Sequence, residues 1–244
     1  MSVAEPQGHF KEQRLNVQES RMSRRVPVIG LVGSIGAGKS AVAEAFAARG
    51  GWVIDGDRLG HEALEQPDIR SRILQRWGTQ GTQASLLRPD GRLDRRSLAK
   101  IVFTNSAELR ALESMVFPQI TSRIQDEIAA AQADPDVPFV ILDAAVMLEA
   151  GWNGVCDHLL YVDAPRSLRL TRLATRSGWT EADLTAREAS QMSAEEKRAR
   201  ADRVLMNDAS REELQIRVDR LLQDWKIGWE EKLGGEVIIP PEIR

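Results

Sequence analysis

Cysteine is almost missing from this 244-residue chain; Cys156 stands alone, which rules out an internal disulfide. No base or metal-ligand spacing accompanies it in the apolar stretch from Val155 to Tyr161, so it reads as a small buried hydrophobe. No run of eighteen apolar residues exists to span a bilayer, and residues 1–25 lack the apolar centre of a signal peptide. Charge of one sign is missing too: 33 Lys and Arg against 36 Asp and Glu leave a formal net charge of −3. Such a chain has no general field for nucleic acid or an anionic membrane, so any anion it binds must be held by local groups. A reduced, soluble, cytoplasmic protein with neither nucleic acid nor membrane as partner is the expectation.

What is present suits one α/β domain with a smaller attached subdomain, since 42% apolar and 28% charged residues supply both a core and a solvated surface. Residues 1–25 are polar and aperiodic and read as a flexible N-terminal extension; 234–244, with Pro240-Pro241, read as a loose tail. In the domain between them, 26–233, residues 26–32, 52–55, 137–143, 158–163 and 203–206 read as strands. Helical patterns cover 40–49 (stopped by Gly50-Gly51), 95–103, 107–133, 165–176 and 211–232, and Pro118 should end or kink the third of these. The section 58–133 shows no convincing strand and is broken from Gly78 to Gly91, while 178–200 is charged and Ala-rich. This alternation predicts an α/β fold, an open parallel sheet with helices on both faces.

Gly33-Ser34-Ile35-Gly36-Ala37-Gly38-Lys39-Ser40 fits G-x-x-x-x-G-K-[ST] at every fixed position and sits between a strand and a helix. The glycines let backbone N–H groups wrap around phosphate oxygens, and the helix beginning at Lys39 adds the positive end of its dipole. In this arrangement Lys39 bridges the β- and γ-phosphates of ATP and the Ser40 hydroxyl ligates Mg²⁺. The bland alternative is a Gly-rich turn with an incidental lysine. Asp55 and Asp57 close the second strand, at the carboxyl edge where open α/β sheets bind ligands, in reach of a transferred phosphoryl group or an acceptor hydroxyl. Asp57 equally suits the cap of the helix that follows. Asp143 ends the third strand as a metal-binding Walker-B acid would, or is a loop carboxylate. Arg169, Arg172 and Arg176 share one helix face, with no Asp or Glu between Pro165 and Gly178, a stripe that suits a polyphosphate better than solvent. Arg92, Arg95 and Arg96 interleave with Asp90 and Asp94 and serve either an anion or a solvated face.

Over about residues 28–210 the chain resembles the dephospho-CoA kinase family. Residues 30–40 are similar to its GLTGGIGSGKS, and Val53-Ile54-Asp55-Gly56-Asp57 with His61-Glu62 to its VIDAD…HE. Asp90 to Arg95, with Leu98 and Val102-Phe103, is similar to DGxLDRxxLxxxVF, and Asp143 to Glu149, with Gly151-Trp152, to DxPLLFExG. Arg187, Gln191, Lys197, Ala201-Asp202 and Asn207 fall at the spacing of its lid region. The resemblance implies ATP-dependent phosphorylation of the ribose 3′-hydroxyl of dephospho-CoA, the last step of coenzyme A synthesis. It further implies Mg²⁺, a helical substrate subdomain at 58–133 and a lid at 172–200. By that match Asp57 is the general base, with Lys39 and Arg172 at the transferring group. Arg172, Arg176 and Asn207 join the phosphate loop at ATP, Asp55, His61, Arg95 and Glu149 meet the substrate, and Ser40 and Asp143 hold the metal. The chain departs from the family where Phe117 replaces a histidine, Ala145 a proline, Arg169 a glutamine and Ala41 a threonine.

Two rivals fail on further absences. A GTPase switch needs N-K-x-D, and no Asn-Lys pair occurs; a mechanical or transport ATPase should carry Glu where Ala144 stands. A nucleotide, sugar or shikimate kinase is separated only by the blocks outside the phosphate loop. A nucleotide-binding pseudokinase would lack Lys39 or Asp57, and both are present.

Overall fold

The computed structural model describes residues 25–78, 86–103, 105–189 and 191–227; the expected tail, and all of the expected extension but Arg25, lie outside them. In chain order the elements are β1 (Val28–Gly33), α1 (Lys39–Ala47), β2 (Trp52–Asp55), α2 (Gly56–Leu64), α3 (Pro67–Trp77), α4 (Arg95–Val102), α5 (Ser106–Ala133) and β3 (Val140–Asp143). A 3₁₀ turn (Trp152–Val155), β4 (His158–Asp163), α6 (Arg166–Ser177), α7 (Glu181–Glu188), α8 (Ala194–Ala199), β5 (Arg203–Met206) and α9 (Arg211–Asp224) follow. The strands form one parallel sheet in the order β2-β3-β1-β4-β5. All six residues of β1 are buried, because it lies mid-sheet between β3 and β4; its unbroken apolar run follows from being covered on both faces.

Each face has its own core. On one, Val42 and Phe46 of α1 and Leu214 and Val218 of α9 pack on Ile29, Leu31, Phe139 and Ile141, with the Phe46 and Phe139 rings edge to face at 5.8 Å. On the other, Leu59 of α2 and Ile120 and Ile124 of α5 pack on Val28, Val32, Ile54 and Leu142. Phe46 is fully buried, so truncating it to Ala should cost about 3–5 kcal/mol. Among the described residues, no helix is long and apolar enough to cross a membrane.

Several boundaries differ from expectation for identifiable reasons. The first and third strands begin later, at Val28 and Val140, because Pro27 and Pro138 have no N–H to give a ladder; the Pro27 carbonyl still accepts from Val140 N at 2.8 Å. Pro118 does not end α5, which continues to Ala133 with Val116, Ile120 and Ile124 buried along one side. Burial of that stripe outweighs the one backbone bond proline removes. α9 stops at Asp224 rather than running on to 232: Trp225 caps it and stacks on His158, Lys226 turns to φ 55° and Ile227 is buried. The charged stretch 178–200 contains α7 and α8, each opened by a capping box, Thr180 with Asp183 and Ser193 with Glu196.

Candidate active site

The phosphate loop joins the end of β1 to the start of α1, at the middle of the sheet's carboxyl edge. A Cβ on Gly33 would collide with the Val162 carbonyl, and Gly38 sits at φ 88° against the Asn207 amide, so neither position admits another residue. The loop is held from outside through its carbonyls. Ile35 accepts from Arg169 at 3.0 Å; Ala37 accepts from Asn207 Nδ2 at 2.8 Å and from Arg172 at 3.1 Å. Arg172 also donates to the Asn207 carbonyl at 2.9 Å, and the Ser34 and Tyr161 hydroxyls share a 2.7 Å bond. A planar trans peptide directs its N–H opposite its C=O, so anchoring the carbonyls of Ile35 and Ala37 fixes the amides of Gly36 and Gly38. Those amides are the donors an anion needs.

Acidic groups gather beside the loop. Lys39 Nζ lies 3.9 Å from Asp143 Oδ1. Burial pushes the Asp143 carboxyl above its ordinary value; Lys39 opposes this, and Asp57 and Asp55 reinforce it. The helix cap belongs to Asp55, whose Oδ1 accepts from Arg58 N at 2.9 Å. Asp57, in the first turn of α2, is exposed on the cavity that holds Lys39, Ser40 and Asp143.

That cavity, about 660 Å³, is lined by most of the loop together with Arg172, Arg176, Asn207, Arg187 and Gln191. Arg169 is not among its walls. It is buried and paired with Glu188 Oε1 at 2.7 Å, so the stripe of three arginines divides into one internal and two facing the cavity. Asn207 is buried as well, and its side-chain amide serves the loop carbonyls.

His61 and Arg95 lie elsewhere, in a 710 Å³ cleft with Arg58, Arg88, Arg92 and Arg123. Arg58 is engaged by Glu62 and Glu127 at 2.7 and 2.6 Å, whereas Arg88, Arg92, Arg95 and Arg123 form no ion pair with a described residue. The interleaved acids are turned mainly to the backbone, although Arg88 lies near enough to Asp94 to help hold its carboxyl low. Asp90 accepts from Arg92 N, and Asp94 caps α4 through Arg96 N and Ser97, the Ser97 hydroxyl holding its carboxyl low. α2 serves both sites, with Asp57 on the first and Arg58 and His61 on the second.

Glu149 lines neither. It accepts from Met192 N at 3.3 Å and pairs with Lys197 Nζ at 3.7 Å. Lys197 is only 5% exposed, and burial draws its ammonium down in spite of Glu149, with Lys39 adding to the effect. The sequence of α8, AEEKRA, shows only a charged, Ala-rich stretch, and the lid-block spacing alone marked this buried lysine. Phe117 packs edge-on against Trp152 at 5.3 Å, an apolar contact.

Comparisons with known proteins bear on the family and the fold. The family model for dephospho-CoA kinase matches residues 27–213. A dephospho-CoA kinase of Thermus thermophilus is 36% identical over 197 residues, 81% of this chain and 91% of its own length. One from Deinococcus radiodurans is 37% identical over 199 residues, 82% and 92% respectively. A solved Thermus thermophilus protein superposes with a TM-score of 0.68 at 35% identity, covering 82% of this chain and 98% of its own. The structure of dephospho-CoA kinase from Campylobacter jejuni, 23% identical, shares the fold with a TM-score of 0.60 over 81% and 96%.

Proposed function

The chain belongs to the dephospho-CoA kinase family, and we propose that it transfers the γ-phosphoryl group of ATP to the ribose 3′-hydroxyl of dephospho-CoA in the cytoplasm. The observation that carries this reading is the meeting of Lys39, Asp57 and Asp143 on one cavity with an externally anchored phosphate loop. The amides of the loop hold the β- and γ-phosphates, and Lys39 offsets charge on the group in transfer. Arg172, tied to the Ala37 and Asn207 carbonyls, brings a fixed positive charge to the same phosphates, and Arg176 a freer one. Asp57 orients the ribose hydroxyl and accepts its proton as the bond to phosphorus forms. The arginines of the second cleft suit the pyrophosphate of dephospho-CoA, with residues 58–133 as the substrate subdomain. Residues 172–200, including α7 and α8, act as a lid that excludes water.

Ser40 and Asp143 fit Mg²⁺: both offer hard oxygen, and a cation would relieve the unfavourable charge on Asp143 beside Asp55 and Asp57. Among the described residues no three His, Cys, Asp or Glu side chains gather closely enough to hold an ion alone, so phosphate and water would have to complete its shell. When bound, Mg²⁺ neutralises charge on the phosphates.

A coupled ADP-release assay with dephospho-CoA, AMP, shikimate and gluconate tests the assignment, with ³¹P NMR locating the new monoester. Dephospho-CoA should be strongly preferred and the ester should appear at the 3′ position. Faster turnover of any other acceptor would overturn it.

A further inference from the structure

Arg169 is 8% exposed and belongs to no wall of the phosphate cavity, yet it is one of the best-connected side chains near it. Its Nε donates to the Ala164 carbonyl at 3.2 Å, fixing the guanidinium against the start of its own helix. One terminal nitrogen then donates both to the Ile35 carbonyl, at 3.0 Å, and to Glu188 Oε1, at 2.7 Å. Ile35 lies in the phosphate loop and Glu188 at the end of α7. The other Glu188 oxygen takes Arg166 at 2.7 Å, and Arg166 also reaches Thr185 at 2.8 Å without touching the loop. Burial raises the proton affinity of Glu188, but the two guanidinium groups outweigh it and hold the carboxyl low, so the cluster is ionised.

The two halves of the loop are therefore anchored differently. The Ala37 carbonyl, which sets the Gly38 amide, is held by Arg172 and Asn207, both outside α7 and α8. The Ile35 carbonyl, which sets the Gly36 amide, is held by a buried cation whose counter-charge comes from α7. Undocking α7 would take away that counter-charge, and with it one of the three contacts (Ala164, Ile35 and Glu188) that fix the guanidinium against the loop. We propose that Arg169 is a positioning residue that ties α7 to the phosphate loop, so that docking of the lid and orientation of the Gly36 amide are one event. The proposal rests on the kinase reading of the cavity and adds to it a route by which α7 acts on the first half of the loop.

The test compares Arg169→Gln, Glu188→Gln and Arg166→Gln in the full chain, by calorimetric affinity for ADP and by steady-state KM and kcat for ATP and for dephospho-CoA. Arg169→Gln should weaken ADP binding and raise the KM for ATP roughly tenfold, the scale of a lost charge-assisted bond, while the KM for dephospho-CoA stays within about twofold. Glu188→Gln should move both in the same direction by less, and the double variant should be no worse than Arg169→Gln, because the two act through one connection. Arg166→Gln, which shares the carboxylate but not the loop, should stay within about twofold of the parent. If Arg169→Gln melts earlier but binds ADP normally, or if Arg166→Gln matches it, Arg169 is only a structural ion pair. Should Arg169→Gln fail to fold, Glu188→Gln decides on the same readouts. ADP affinity needs no acceptor, so the outcome stands apart from the assignment of dephospho-CoA, which fails only if the parent chain does not turn it over.

Discussion

The phosphate cavity and the arginine cleft share α2 but follow opposite principles. In the first, the donors are mainly backbone amides, their directions set by carbonyls that Arg169, Arg172 and Asn207 grip from behind. In the second, four long cations from the turn around Gly91, from α4 and from α5 surround Leu93, and among the described residues none of them closes an ion pair. A preorganised donor costs nothing further at the moment of reaction, whereas each arginine ordered by a ligand gives up side-chain entropy on the order of 1.5–2 kcal/mol. On the proposed function, rigidity is thus concentrated where charge would move during transfer, and adaptability where a substrate would only be held.

Substitutions can break or sharpen that contrast. The largest effect is expected from Lys39→Ala, which removes a fixed cation from the transferring group: kcat/KM should fall roughly a thousandfold. Turnover within tenfold of the parent would show that the cavity does not work through preorganised charge. Asp57→Asn comes next. It keeps size and hydrogen bonding but removes basicity, so kcat should drop about a hundredfold, with ATP affinity and thermal midpoint near the parent because the cap of α2 lies on Asp55. In the cleft, Arg95→Ala or Arg123→Ala should raise the KM for dephospho-CoA about tenfold or less and leave the KM for ATP alone, with an effect that shrinks as salt rises. A fall in kcat as deep as that of Asp57→Asn would mean that the cleft takes part in the chemistry rather than in holding.

The same contrast explains what the sequence could reveal. The phosphate loop is eight contiguous residues whose spacing is itself the mechanism, and β2, β4 and β5 fall on the expected bounds because each is a short apolar run between breaks. Arg169 was legible as part of a basic stripe and as a departure from the family's glutamine, but not as a buried tie. Its partner Glu188 lies nineteen residues on, outside the helix whose spacing was read, and only the turn at Gly178 brings it back. α7 and α8 carry capping signals, Thr180 with Asp183 and Ser193 with Glu196, that a reading by composition passes over. The continuity of α5 through Pro118 depends on burial against other elements, which no local rule contains. For Asp57 the sequence left cap and base undivided; the backbone decides the cap by giving Arg58 N to Asp55, a role the sequence had not offered that residue.

Asp55 therefore carries the smallest and most discriminating prediction. Its Oδ1 closes the first turn of α2, and it stands beside Asp143 in the β2–β3 register. Asn is as good a cap as Asp, whereas Ala is not, so Asp55→Ala should lower stability by about 1 kcal/mol and Asp55→Asn should leave it near the parent. A second effect works in favour of Asn. The Asp143 carboxyl has a folded value above its unfolded one, partly because of Asp55, so its ionised form costs stability at neutral pH, and that cost is relieved as pH falls toward the raised value. Removing the Asp55 charge lowers the folded value and reduces the cost, and the midpoint of Asp55→Asn at neutral pH should equal or slightly exceed the parent's. Less of its stability should be gained on acidification. If Asp55 only caps, kcat of Asp55→Asn stays within roughly threefold, and the contrast with Asp57→Asn isolates basicity at one carboxylate. If Asp55→Asn instead matches the loss of Asp57→Asn with its stability intact, the charge of Asp55 is used at the metal or the hydroxyl. The two acids then act as a pair, and the division between a structural and a chemical carboxylate at the end of β2 has to be abandoned.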